Sequence, residues 1–208
     1  MKFQLSAALM GLALTAVSAQ DTQTGPFALH VKGTNKGSKI NGYVSSCHAG
    51  AGISGACYGA GSLPEPSNSV SYYFNYSGYN QVGNDQVGTL IWNQPYSDGN
   101  GTVLYESQSA GLVYQTNSNV AAPLFGFSQV AFLVGFDSKG RLFGYNYVDD
   151  SKFVAGVPPT SYKPTGYYNW AVCWQYFTGY YYQSVGWVTE GAPHNPTCEP
   201  ATITKVRL

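Results

Sequence analysis

Two glutamates, Glu106 and Glu190, are the residues of this chain best placed for acid–base chemistry. Glu106 follows Val103-Leu104-Tyr105 and Glu190 follows Val185-Gly186-Trp187-Val188-Thr189, so each can project from the end of a strand. Paired carboxylates hydrolyse a glycosidic bond, with retention at a separation of roughly 5–5.5 Å and inversion at roughly 6.5–9.5 Å. Trp170, Trp174, Tyr176 and Trp187 are the side chains that could hold a sugar chain beside them. Glu65, between prolines, and Glu199, after Cys198, read as loop residues without a rigid strand behind them. Solvated strand-end charges are the simpler reading of Glu106 and Glu190 as well, and the chain is expected to be non-enzymatic, with a jelly-roll glycoside hydrolase or glycan-binding module as the alternative.

Other chemistries find less support. Gly50-Ala51-Gly52-Ile53-Ser54-Gly55 spells G-x-G-x-x-G, but it lies between two cysteines with no helical pattern after it, so a cysteine-closed loop is expected and no phosphate cradle. His30, His48 and His194 are far apart, no Cys or His falls at zinc-site spacing, and Gln20 heads the expected mature chain, so neither a metal nor a histidine brace is expected. No G-x-S-x-G elbow is present. Lys32, Lys36 and Lys39 form a small basic loop that reads as solvent-facing. No cofactor is expected.

The elements that would position these residues are strands. Apolar residues recur at period two, and Gly, Pro, Asn and Ser interrupt them at short intervals. Strands are predicted near 27–33, 40–46, 71–77, 87–93, 102–106, 111–116, 130–136, 141–148, 168–177, 180–188 and 202–208. Residues 20–26, 61–69 and 155–166 read as connections, and the 25 glycines disfavour helices. The expected fold is all-β: one domain, 20–208, built as an antiparallel β-sandwich or jelly roll.

Two hairpins are explicit. Asp137-Ser138-Lys139-Gly140 joins two apolar runs with the residues of a type I turn and bulge. The second is YYNWAVCWQYFTGYYYQSVGW, residues 167–187, which holds ten aromatic side chains. A two-residue turn at Thr178-Gly179 pairs Trp170 with Trp187, Val172 with Val185, Trp174 with Gln183 and Tyr176 with Tyr181 on one face. The other face carries Ala171 with Gly186, Cys173 with Ser184, Gln175 with Tyr182 and Phe177 with Tyr180. Aromatic side chains bury roughly 150–250 Å² each, so the tryptophan face is expected to be mainly core, any part left outside serving as a ligand platform.

Composition and leader set the compartment. Hydrophobic residues make up 44% and charged residues 10%, with ten basic and ten acidic side chains, so neither nucleic acid nor an acidic membrane is an expected partner. Residues 1–19, with Lys2, an apolar run and Val17-Ser18-Ala19, read as a secretory signal peptide. Cys47, Cys57, Cys173 and Cys198 are then expected to form two disulfides; three pairings are open, and the two short loops, Cys47–Cys57 and Cys173–Cys198, are favoured. Sequons at Asn75 and Asn100 imply glycans, Asn100 in an exposed turn being the better site, while Pro196 blocks the one at Asn195.

The C-terminal third, with Asn169-Trp170, Cys173, Trp187, Asn195-Pro196-Thr197-Cys198 and the Gly135-Phe136-Asp137 hairpin, resembles small secreted proteins of filamentous fungi, such as cell-wall proteins of the phialide-associated type and elicitor-like apoplastic glycoproteins. Weaker support comes from Ser46-Cys47-His48-Ala49-Gly50. The resemblance implies a β-sandwich, secretion, residence at the wall or in the medium, and no catalytic residues. The expected molecule is a secreted monomer that meets a cell-wall polysaccharide or a host or other extracellular protein, in the manner of an effector or elicitor.

Overall fold

A computed structural model of the chain describes residues 22–126, 130–160 and 162–208. The expected signal peptide lies outside the described residues. Among these residues thirteen strands follow one another: β1 Thr22–Gly33, β2 Asn41–Gly50, β3 Ile53–Ala60, β4 Tyr72–Val82, β5 Asp85–Ser97, β6 Val103–Val113, β7 Val120–Phe125, β8 Leu133–Phe136, β9 Leu142–Asn146, β10 Thr165–Tyr167, β11 Trp170–Phe177, β12 Tyr180–Val188 and β13 Glu199–Arg207. Short 3₁₀ turns occupy Asn68–Val70 and Asp150–Lys152. Cys47–Cys57 and Cys173–Cys198 are both bonded, so the all-β class and the two staples agree with the sequence reading.

The division into two separate sheets that a sandwich or jelly roll requires is not what the pairing produces. Antiparallel ladders run from β1 through β4, β5, β6, β7, β3, β12, β11 and β13 and return to β1, closing nine strands into a barrel. The physical cause is that several strands change partner along their length. β1 pairs with β4 through Thr22–Phe27 and with β2 through His30–Lys32, with a bulge between Thr24 and Phe27 that bends it. β5 pairs with β8 at 87–89 and with β6 at 91–97; β12 meets β3 at Ser184 and β7 at Trp187 and Val188. Closure gives each of the nine strands a neighbour on both sides along part of its length, while β8, β9 and β10 continue outward from β5 as a side sheet.

Several segments differ from their sequence reading. Residues 53–60, expected inside a small loop, form β3, because Gly50 (φ 141°) and Gly52 (φ 68°) make a tight hairpin turn between Cys47 and Cys57. Gly55 lies in that strand where a Cβ would stand 3.0 Å from the Phe177 ring and 3.1 Å from Cys47 Sγ, so the apparent phosphate motif is a turn plus a close approach. Residues 120–125 form β7, buried on both faces. Its Pro123, which has no N–H to give, falls between the residues that pair with β12 and those that pair with β3. The runs 102–106 and 111–116 are largely one strand, β6, and 22–26 belong to β1.

The barrel interior is filled by side chains that include Leu29, Tyr72, Trp92, Phe125, Trp170, Val172, Val185, Trp187 and Ile203. Two smaller clusters lie on the other face of β7 and β11, one around Leu124 and Phe177, the other around Val120, Ala171 and Cys173. The hairpin of β11 and β12 is therefore gripped from both sides.

Candidate functional site at the tip of the β11–β12 hairpin

The predicted register is realised in full, from Trp170 opposite Trp187 to Phe177 opposite Tyr180. Thr178 and Gly179 both take positive φ, 49° and 95°, the backbone of a two-residue hairpin turn of matching twist. Thr178 donates through its hydroxyl to the carbonyl of Ala49, which ties the turn to the end of β2.

The tryptophan face divides along its length. Trp170 and Trp187 are 5% and 8% exposed, with their rings edge to face at 4.9 Å, and Trp170 Nε1 donates to the carbonyl of Leu142 at 2.8 Å. These two are packing residues and are unavailable to a ligand. Trp174, Tyr176 and Tyr181, nearer the turn, are 43%, 61% and 59% exposed, because the hairpin runs past the end of the barrel. Trp174 and Tyr181 stack with centroids 5.3 Å apart and an interplanar angle of 29°.

The opposite face holds this tip rigid. Cys173, Gln175 and Phe177 are buried, and Gln175 Nε2 donates to Ser184 Oγ at 2.8 Å and to the carbonyl of Val185 at 2.9 Å. The open edge of β11 is closed by side chains. β13 pairs with β11 only at Ala171 and Val172; beyond them the Trp174 amide donates to Thr197 Oγ1, Asn195 Nδ2 donates to the carbonyl of Trp174, and Gln115 Nε2 donates to that of Tyr176. Thr197 in turn donates to Asn195 Oδ1 through both its amide and its hydroxyl. The glycan-blocked Asn195-Pro196-Thr197 turn is thus an edge cap, the role of a missing neighbouring strand.

Gln115, Ser118 and Asn195 join Trp174, Tyr176 and Tyr181 around a recess of about 290 Å³. Aromatic faces flanked by amide and hydroxyl groups suit the alternating C–H and O–H surface of a pyranose. No carboxylate or imidazole is among the residues that line this recess. Sequence reading found the aromatic members from their alternation; it missed Gln115, Ser118 and Asn195, which come from distant loops and carry no periodic signal.

Glu106 and Glu190 are not brought together. Glu106 lies opposite Gln94, and from there to Val113 is roughly 24 Å of strand at ~3.4 Å per residue. Glu190 stands beyond β12, at the Val113 end of the sheet, where its carbonyl accepts from Asn119 Nδ2. Both are exposed and share no cleft with Trp170, Trp174 or Trp187. Among the described residues no group of His, Cys, Asp and Glu is arranged to hold a metal. His30 pairs with Asn41 Oδ1, His48 sets its ring against Tyr180, and His194 donates its backbone amide to Asn119 Oδ1. Lys32, Lys36 and Lys39 are exposed. Asn75 is half-buried within β4 and accepts from Gln23 Nε2, whereas Asn100 is exposed between Gly99 and Gly101, both of positive φ.

The base of the hairpin is fixed by Asp137, the first turn residue between β8 and β9. Its Oδ1 accepts from the amides of Lys139 and Arg141, and its Oδ2 accepts from the Arg141 guanidinium at 2.7 Å and from the Tyr168 hydroxyl at 3.0 Å. Partial burial pushes its carboxyl pKa up, but these hydrogen bonds outweigh that effect and hold it below the usual value. Burial and the same contact with Asp137 push the Tyr168 phenol up.

Compared with protein-family models, with curated proteins and with solved structures, the chain matches none.

Proposed function

We propose that this is a secreted, non-enzymatic binding protein of the cell wall or host interface, of the effector or elicitor-like kind, that holds a polysaccharide against Trp174, Tyr176 and Tyr181. The observation that carries the reading is the division of one aromatic face: its inner half is core, yet its outer half keeps a stacked, rigidly supported Trp–Tyr pair in solvent. A patch of that kind is costly to leave uncovered unless something lies on it. Two disulfides accord with an oxidising, extracellular setting, and Asn100 offers an exposed turn for a glycan. The resemblance of the C-terminal third to fungal wall proteins points the same way.

Co-sedimentation with insoluble chitin, β-1,3-glucan, cellulose and xylan tests this. The oxidised protein is expected to pellet with at least one of them. Trp174→Ala should weaken that binding ~10- to 100-fold, the equivalent of ~1.5–3 kcal/mol for an aromatic side chain removed from a contact. Its melting temperature should stay close to that of the parent, because Trp174 is outside the core. A protein that remains in the supernatant with every polymer, or a Trp174→Ala variant that pellets as well as the parent, would rule the proposal out.

A further inference from the structure

A second recess, of about 300 Å³, lies between the β2–β3 hairpin and β5. Its walls carry Ser46 and His48 of β2, Ser54 of β3, Asn68 of the 3₁₀ turn, and Trp92 and Gln94 of β5. The volume is at the lower end of the ~300–1,000 Å³ range of small-ligand sites. We infer that this recess is a separate binding site for one neutral sugar residue.

The wall residues are brought together by register. His48 and Ser54 are cross-strand partners, so their side chains share a face. Trp92 lies opposite Gln108 and Gln94 opposite Glu106, so those four share a face of the β5–β6 pair. Gln108 Nε2 donates to the carbonyl of Gly52 at 3.0 Å, which draws that face against the tip of the β2–β3 hairpin. The Cys47–Cys57 bond joins β2 to β3 between Ser46 and His48 and fixes their spacing.

What marks this recess is unused hydrogen-bonding capacity. Among the described residues the hydroxyls of Ser46 and Ser54 and the imidazole of exposed His48 have no hydrogen-bond partner in the protein, which leaves them free for a ligand. Gln94 Oε1 is shielded from water and has no partner there either. Buried polar atoms in folded proteins are ordinarily satisfied, so this one unpartnered amide oxygen behind the cavity wall points to a ligand that engages the Gln94 amide once it turns. Gln94 is well suited, since a half-turn of its amide presents either an acceptor or a donor. Trp92 is the rigid apolar member: it is buried, packs on Phe125 and already donates its Nε1 to the carbonyl of Asn68.

The charge pattern selects the sugar. No lysine or arginine lines the recess, so it has nothing to neutralise a sulfate, phosphate or uronate. Glu106, directly across from Gln94, adds a carboxylate beside the mouth, which repels anions and can accept from vicinal hydroxyls. One carboxylate stands beside the recess, so the paired acids of the usual glycosidase are not assembled there. It does not depend on the aromatic tip, which is formed by other residues.

The test is a titration of the ¹⁵N-labelled, oxidised full chain with the methyl glycosides of glucose, mannose, galactose and N-acetylglucosamine, and with glucuronic acid as the anionic comparison. At least one neutral sugar should shift the amides of Ser46, His48, Ser54 and Gln94 and the indole N–H of Trp92 at millimolar concentration. Gln94→Leu and His48→Ala should each weaken binding ~10-fold, with spectra that remain dispersed, whereas Trp174→Ala should leave these shifts unchanged. The inference fails if no neutral sugar moves those resonances, if glucuronic acid binds more tightly than every neutral sugar, or if Gln94→Leu and His48→Ala both bind as the parent does. Loss of the shifts in Trp174→Ala would assign them to the hairpin tip and overturn the second site.

Discussion

Tyr72 illustrates how much a single residue's chemistry depends on its surroundings. Its side chain is wholly buried, its ring lies 5.8 Å from that of Phe125, and its hydroxyl has no hydrogen-bond partner among the described residues. Burial pushes the phenol pKa far above its ordinary value. The void beside it, about 20 Å³, is lined by apolar side chains such as Leu29, Leu90 and Ile203, and an apolar cavity of that kind stays dry. An orphaned buried hydroxyl costs ~1–3 kcal/mol, so Tyr72→Phe is expected to raise the free energy of unfolding by about 1 kcal/mol in a urea titration. A loss of stability instead would reveal a polar partner for the hydroxyl. The tyrosine itself was legible in the sequence as part of a strand, but its orphaned hydroxyl was not, because tyrosine sits as readily at a wet surface. The same ambiguity hid the contrast between Trp170 and Trp174, identical residues four positions apart with opposite fates.

At the scale of elements, the β11–β12 hairpin was readable to the residue because its information is local. Alternation sets the faces, and a two-residue turn sets the register. Thr178 is an unusual choice at positive φ, since a β-branched side chain is strained there. The bond from its hydroxyl to Ala49 compensates and docks the tip onto β2. Thr178→Val keeps the shape and removes that bond, so it should lower stability by ~1 kcal/mol, read as a fall in the denaturation midpoint with an unchanged denaturant slope. An unchanged midpoint would mean that the contact with Ala49 is energetically idle. β3 and β7 escaped notice for the complementary reason. The glycines of one and the alanines and proline of the other have poor strand propensity, and both are strands because neighbours on two sides pair with them.

At the scale of the molecule, the two disulfides differ in what they restrain. Cys173–Cys198 spans 25 residues and Cys47–Cys57 spans 10, which correspond to ~3.5 and ~2.7 kcal/mol of restricted unfolded-chain freedom. Replacing the first pair with alanine should therefore destabilise the protein more than replacing the second, by roughly 1 kcal/mol, in parallel thermal melts. The reverse order would place the Cys47–Cys57 hairpin at the centre of stability. The all-β class, the turn chemistry and the register of the last hairpin were determined by the sequence alone, because each depends on residues close together along the chain; the sequence favoured one of three cysteine pairings, and the fold decided it. Closure of the barrel, the point at which the hairpin leaves the core, the separation of Glu106 from Glu190 and the gathering of Gln94, His48 and Ser54 into one recess were decided by tertiary structure. These depend on strands such as β1, β5 and β12 exchanging partners partway along, and no local pattern records where a strand will meet its second neighbour.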